Sequence, residues 1–99
     1  MSAFIRQIEI VNRKGLHARA SAKLAELALE LPTTVTVSFE GESADARSIM
    51  DLLCLGAGIG SIVSLSAGGD DAERALDAVA ALFMDGFGEL EEDAACACK

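Results

Sequence analysis

The chain has 99 residues and a formal net charge of −8, which favours one small domain and disfavours nucleic acid as a partner, because an acidic surface repels a phosphate backbone. No apolar stretch reaches the about 18 residues of a membrane-spanning helix, so no membrane insertion is expected. The N-terminus lacks the basic-then-apolar pattern of a signal peptide, which predicts a cytoplasmic protein with reduced cysteines.

The first third of the chain reads as a strand, a loop and a helix. Apolar residues alternate with polar ones over Phe4–Val11, which predicts a strand. Asn12–Gly15 reads as a loop, with Gly15 free to take a positive φ. From Ala18 to Leu31 the apolar period becomes helical, and Pro32 should end this helix.

The remainder predicts two strands, a short helix, another strand and a last helix. Alternation predicts strands over residues 34–39 and Ser43–Ala46, with a turn at residues 40–42. Residues 48–55 predict a helix, with Ser48 as its capping residue. Ser61–Ala67 predicts the fourth strand, and the final helix runs from the aspartates at 70 and 71 to a stop at Gly86.

The order βαββαβα predicts an α+β fold of two layers. Strands with one polar face need cover on the other face only, which indicates a four-stranded antiparallel sheet with three helices on one side. Residues 1–88 form the expected domain. Residues 89–99 are acidic and have no apolar period, so they predict a disordered tail.

The three cysteines do not predict a metal or redox site. Cys96 and Cys98 lie in the tail without further His or Cys ligands, and we interpret them as two free thiols. Cys54 falls in an apolar helix and is expected to be a small buried side chain. No metal and no cofactor are therefore expected.

The only histidine, His17, lies where the first loop becomes a helix. Imidazole is a good nucleophile near neutral pH, and the first amides of a helix attract anions such as phosphate. Arg19 can supply a cation to a phosphoryl group held there. From spacing alone, an exposed surface histidine beside a helix cap is an equally good interpretation.

Four cations fall within a dozen residues around this histidine, and we call them the basic cluster: Arg13, Lys14, Arg19 and Lys23. Residues 1–60 carry six Lys/Arg and seven Asp/Glu, whereas residues 61–99 carry two and nine. A local basic cluster on an acidic protein indicates a specific anionic ligand or partner.

The segment Gly15-Leu16-His17-Ala18-Arg19 resembles the active-site signature of HPr, the histidine-containing phosphocarrier family of the bacterial phosphotransferase system. Asp45–Leu52 resembles the second landmark of that family, where a serine opens the second helix. The resemblance covers residues 3–88. It implies that His17 accepts a phosphoryl group through Nδ1 from phosphorylated enzyme I and passes it to an EIIA-type acceptor.

The resemblance also implies roles for other residues. Arg19 would hold the phosphate, with Gly15 and Ala18 shaping the phosphate-binding loop. Ser48 would be a regulatory phosphorylation site for a serine kinase/phosphorylase, which is compatible with a cap. The expected partner-docking residues are Ala20, Ile49, Met50, Leu52 and Leu53. For at least half of the four in the second helix, core packing is the favoured interpretation.

The chain departs from the family after the active-site arginine, where many members have proline and this sequence has Ala20. Proline suits a first helical turn but is not needed for phosphate contact, so little loss of function is expected. In having Ala20 and an acidic composition, the chain resembles the family branches with regulatory or nitrogen-related roles. A nitrogen-branch carrier is therefore an alternative to a sugar-branch carrier.

Three functions remain to be separated. The favoured one is a phosphoryl relay, which is a substrate of other enzymes more than a stand-alone catalyst. The second is a purely regulatory binding module controlled at Ser48, with His17 idle. The third is a small enzyme with His17 as general base, but the sequence offers no second catalytic residue at convincing spacing.

Overall fold

The structure is a computed structural model that describes residues 3–88. Its elements follow the predicted order βαββαβα: β1 Ala3–Glu9, α1 Ala18–Leu29, β2 Val35–Phe39, β3 Glu42–Asp45, α2 Ile49–Leu55, β4 Ile62–Gly68 and α3 Ala72–Met84, followed by a short 3-10 turn at Gly86–Gly88. The predicted tail, including Cys96 and Cys98, lies outside the described residues.

The four strands form one antiparallel sheet in the order β1-β4-β2-β3, which confirms the predicted class. Directly paired residues share a face of a sheet. Val37 pairs with both Leu65 and Ala44, and all three are buried beneath the helices. The opposite face of β2, β3 and β4 carries mainly hydroxyl side chains, at Thr36, Ser38, Ser43, Ser64 and Ser66.

The three helices close the core on one face of the sheet. α3 packs on β1 and β4, α2 packs on β2 and β3, and α1 contacts both other helices. Leu24 of α1, Leu52 of α2 and Phe83 of α3 are all fully buried. Burying such side chains stabilises a domain by about 1.5–3 kcal/mol each, so every helix contributes to the core.

Two element ends differ from the prediction by two residues, each for a local reason. β1 ends at Glu9, because Ile10 exchanges its backbone hydrogen bonds with Gly60 and Ser61 in the loop before β4. α1 ends at Leu29 because a residue that precedes a proline avoids helical backbone angles, and Leu31 precedes Pro32.

The turn after α3 is anchored to the body of the domain. Phe87 has a positive φ of 56° and a fully buried ring, which meets the Phe83 ring edge-on with centroids 4.8 Å apart. The Lys23 ammonium of α1 donates to the Phe87 carbonyl at 2.7 Å. None of the helices within residues 3–88 combines the length and apolar character of a transmembrane span.

Candidate functional site

The loop that delivers His17 to α1 is fixed by backbone hydrogen bonds. The Gly15 amide donates to the Asn12 carbonyl at 3.2 Å, and the Asn12 side-chain amide donates back to the Gly15 carbonyl at 2.9 Å. The Leu16 amide donates to the carbonyl of Ala57, in the loop after α2, at 3.0 Å. The loop conformation is therefore set by a segment some forty residues further along the chain.

Gly15 is required at its position for two reasons. Its φ is +63°, and a Cβ there would lie 2.5 Å from the Ala57 carbonyl oxygen and 2.6 Å from the Gly58 Cα. Both neighbours are backbone atoms, so neither can move aside through a change of side-chain rotamer. Gly15 is buried and its amide donates within the turn, so its geometry shapes the loop that carries His17.

His17 is the N-cap residue of α1. Its backbone is extended, with φ −78° and ψ −178°, and its carbonyl accepts the first helical hydrogen bond from the Ser21 amide at 2.8 Å. The imidazole is half-buried and takes no capping hydrogen bond from the first helical turn. The side chain is thus placed at the positive end of the helix without being used to cap it.

The first turn of α1 favours an anion beside the imidazole. It contains no acidic residue, so nothing within that turn neutralises the partial positive charge of the helix N-terminus. Ala18 and Arg19 are exposed and follow His17 directly. The fully buried Ser21 donates its hydroxyl to the Leu16 carbonyl at 3.2 Å, which holds the turn from beneath.

The basic cluster has three exposed members, Arg13, Lys14 and Arg19, and one half-buried member, Lys23. Arg19 and Lys23 are four residues apart on α1 and therefore share a helix face. Lys23 is already committed to the Phe87 carbonyl. No local pattern of the sequence indicates this contact, since it joins residues far apart in the chain.

Ser48 is the N-cap of α2, as predicted. Its hydroxyl oxygen accepts from the Asp51 amide at 3.2 Å, and the residue is half-buried. The helix is seven residues long, so Ser48 lies about 10 Å along its axis from the end that leads to Ala57 and the His17 loop. Ser48 therefore lies at one end of α2, whereas the loop that carries His17 contacts the segment that follows the other end.

An exposed ion pair precedes Ser48. The Arg47 guanidinium donates to both carboxylate oxygens of Asp45, at 3.1 and 3.0 Å, and the Arg47 amide donates to the same side chain at 2.9 Å. These hydrogen bonds lower the pKa of Asp45, the side-chain bond from Arg47 being the largest cause. The arginine that flanks Ser48 is thus held in one geometry by a fork of two bonds.

The outward side of α2 is apolar, and we call it the α2 surface: Ile49, Met50, Leu53 and Cys54. Met50 is 69% exposed and Ile49 and Leu53 are 39% and 37% exposed. Of the four apolar docking candidates in this helix, only Leu52 is in the core, so the expectation that at least half of them pack inward is wrong. Cys54 is exposed, which corrects the prediction of a buried thiol.

Two predicted docking residues cannot meet a partner directly. Ala20 and Leu52 are fully buried, because both lie on the helix sides that face the sheet and the neighbouring helices. Ala20 packs beneath the exposed residues of α1, and Leu52 packs beneath the α2 surface. Within residues 3–88, no three His, Cys, Asp or Glu side chains come together as a set of metal ligands.

Comparison with known proteins assigns the chain to a family. The family model described as PTS HPr component phosphorylation site matches residues 5–85. The chain is 49% identical over 86 residues to the phosphocarrier protein HPr of Cupriavidus necator, a match that covers 87% of this chain and 97% of that protein. This chain belongs to the HPr family of phosphocarriers of the phosphotransferase system.

Members of both family branches resemble the chain. The phosphocarrier protein NPr of Shewanella violacea is 43% identical over 89 residues, covering 90% of this chain and 98% of that protein. The crystal structure of HPr-C-His from Thermoanaerobacter tengcongensis superposes with a TM-score of 0.80 at 38% identity and covers 90% of this chain and 98% of that one. The chain therefore spans nearly the whole length of these HPr and NPr proteins.

Proposed function

We propose that His17 is the residue that carries the phosphoryl group. The observation that carries the proposal is its position as the N-cap of α1, with an imidazole that makes no capping hydrogen bond and a first helical turn without acidic residues. A phosphoryl group on this imidazole would lie beside the helix N-terminus, whose amides and dipole favour an anion.

The transfer is an exchange between two nitrogen atoms. The lone pair of neutral His17 Nδ1 attacks phosphorus, the new P–N bond forms as the bond to the donor's histidine breaks, and that histidine leaves with the electron pair. Arg19 would donate to the phosphoryl oxygens and stabilise their charge during the transfer. A surface junction between loop and helix leaves room for the donor to approach in line.

We propose phosphorylated enzyme I as the donor and an EIIA-type protein as the acceptor. The α2 surface offers both partners an apolar contact, because α2 packs beside α1 and the Leu16–Ala57 hydrogen bond joins the end of α2 to the His17 loop. Because the sequence of transfers starts from phosphoenolpyruvate, a cytoplasmic metabolite, we also propose a cytoplasmic location.

Ser48 is a second proposed phosphorylation site, with a regulatory role. A phosphate on the N-cap would add about −1.5 to −2 charges at the edge of the α2 surface. The helix N-terminus tolerates that charge, whereas a partner that docks on apolar side chains has to desolvate it. Phosphorylation of Ser48 would therefore weaken docking without unfolding α2.

The proposal is tested by incubating the chain with phosphoenolpyruvate and enzyme I. We expect a mass gain of one phosphate that is labile in acid and stable in base, and its loss when an EIIA protein is added. Separate additions of sugar-type and nitrogen-type EIIA identify the branch, since the relatives include both HPr and NPr proteins. A chain that gains no phosphate under these conditions would overturn the proposal.

A further inference from the structure

We infer that Met50 is an oxidation site, at which reaction with a peroxide weakens docking on the α2 surface. Oxidation converts the thioether into a sulfoxide, which is polar and opposes an apolar contact. The inference rests on the proposed function for its effect on phosphoryl transfer, but not for the reaction at sulfur. Three observations carry it: the exposure of Met50, the apolar residues around it, and a second exposed methionine elsewhere on the domain.

Met50 is the most exposed of the large apolar side chains of α2. Its exposed fraction is 69%, against 39% for Ile49 and 37% for Leu53. A peroxide in solution can therefore reach this side chain without any unfolding of the helix. The fully buried Leu52 holds α2 against the core, so an oxygen atom added at Met50 leaves the packing of the helix in place.

The residues around Met50 make its polarity decisive for docking. Ile49, Leu53 and Cys54 are exposed beside it, and residues three and four positions apart are neighbours on a helix surface. An unmodified methionine adapts its shape to an apolar partner. A sulfoxide oxygen accepts hydrogen bonds from water, and a partner that packs on these side chains has to remove that water. A single added oxygen therefore opposes contact across the α2 surface.

The reaction is a two-electron oxidation that adds one oxygen atom to sulfur. The sulfur lone pair attacks one oxygen of hydrogen peroxide, the S–O bond forms as the O–O bond breaks, and the other oxygen leaves as water. The thioether loses two electrons and the peroxide gains them. A methionine sulfoxide reductase reverses the change with two electrons and two protons from thiols, and the oxygen leaves as water. The modification is therefore reversible.

Met84 provides a matched comparison within the same chain. Its exposed fraction is 61%, close to that of Met50, but it is the last residue of α3. α3 packs on β1 and β4, whereas α2 packs on β2 and β3, so Met84 lies outside the α2 surface. We expect a peroxide to oxidise both methionines at similar rates, while only the sulfoxide at Met50 affects docking.

The test compares the full-length parent with three variants, Met50→Leu, Met84→Leu and Cys54→Ser. Each is treated with hydrogen peroxide, catalase removes the excess, and dithiothreitol then reduces reversibly oxidised thiols. Methionine sulfoxide requires its own reductase and survives this step. Peptide mass mapping locates the added oxygen, and melting curves establish that the treated chains remain folded. The KM of enzyme I for each form is measured before and after treatment, so that every form is compared with itself.

We expect treatment to raise the KM by about fivefold for the parent, Met84→Leu and Cys54→Ser, and to leave that of Met50→Leu as it was before treatment. Methionine sulfoxide reductase should restore the KM of the treated parent. An equal rise for Met50→Leu, or no rise for a parent that is oxidised at Met50, would overturn the inference.

The mass mapping decides the reaction at sulfur without any phosphoryl transfer. A Met50 that resists peroxide while Met84 is oxidised would overturn the inference even if enzyme I phosphorylates the chain. A parent that enzyme I does not phosphorylate before treatment would overturn the proposed function, and with it the effect of oxidation on docking. The two failures are therefore distinguished by separate measurements.

Discussion

The backbone N–H of Leu16 donates to the carbonyl oxygen of Ala57 across 3.0 Å. This bond joins the loop that carries His17 to the loop that follows α2, where a Cβ on Gly15 would lie 2.6 Å from the Gly58 Cα. The position of the imidazole therefore depends on the contact between the two loops as well as on α1. Any side chain at position 15 would have to separate them.

Gly15→Ala should cost more stability than Gly56→Ala. Both glycines have nearly the same φ, +63° and +65°, but a Cβ at Gly56 meets nothing within 4 Å. We expect a loss of about 1 kcal/mol for Gly56→Ala from the backbone conformation alone, and about 2–4 kcal/mol for Gly15→Ala, because overpacking adds to it. Urea unfolding measures both, and equal losses would show that the two loops separate without cost.

Arg19→Ala should slow phosphorylation of His17 by at least about tenfold, or about 1.4 kcal/mol of barrier. Arg19→Lys should recover only part of the rate, since a point charge replaces a two-pronged donor. Arg74→Ala, which removes one exposed cation from α3, serves as the control for net charge. Rapid-quench labelling with enzyme I supplies the rates, and equal rates for the Arg19 and Arg74 variants would exclude the proposed role of Arg19.

Ser48→Asp should slow phosphoryl transfer to His17, whereas Ser48→Asn should leave it near the parent rate. Asp and Asn both cap helices as well as serine does, so the fold and stability should be unchanged in both variants. Only the aspartate brings a negative charge to the edge of the α2 surface. Melting curves and transfer rates are compared for the two, and equal transfer rates would leave Ser48 with its capping role alone.

Met50→Glu should weaken the interaction with enzyme I, and Leu29→Glu should not. The two side chains are equally exposed, at 69%, but Met50 lies on the α2 surface and Leu29 at the far end of α1. A charge buried in the apolar contact weakens binding by about 1–2 kcal/mol. The KM of enzyme I for the chain should therefore rise by about tenfold with Met50→Glu. A similar rise with Leu29→Glu would mean that the effect comes from net charge.

The sequence predicted the fold and the cap at Ser48 because both follow from local patterns. Alternation and helical period indicate the elements, and a serine three residues before Asp51 indicates the start of α2. The exposure of Cys54 and Met50 could not be read in this way, because a short helix with apolar residues on every side does not reveal which side faces the core.

The contacts that shape the site were likewise beyond sequence reasoning. The glycine at 15 indicated a positive φ, but not that Ala57 and Gly58 would lie against it. The hydrogen bond from Lys23 to Phe87 joins positions 64 residues apart. No local periodicity or motif predicts pairs of such large separation, and they emerge only when the helices pack on the sheet.

Labelling of a His17→Ala variant by phosphoenolpyruvate and enzyme I tests the central claim most directly. His17 is the only histidine of the chain, so no other residue can form a phosphohistidine. A melting curve of the variant establishes that it is folded, and acid treatment separates phosphohistidine, which is labile, from phosphoserine, which survives. The account predicts that the parent gains one acid-labile phosphate and the variant gains none; acid-labile phosphate on the folded variant would contradict it.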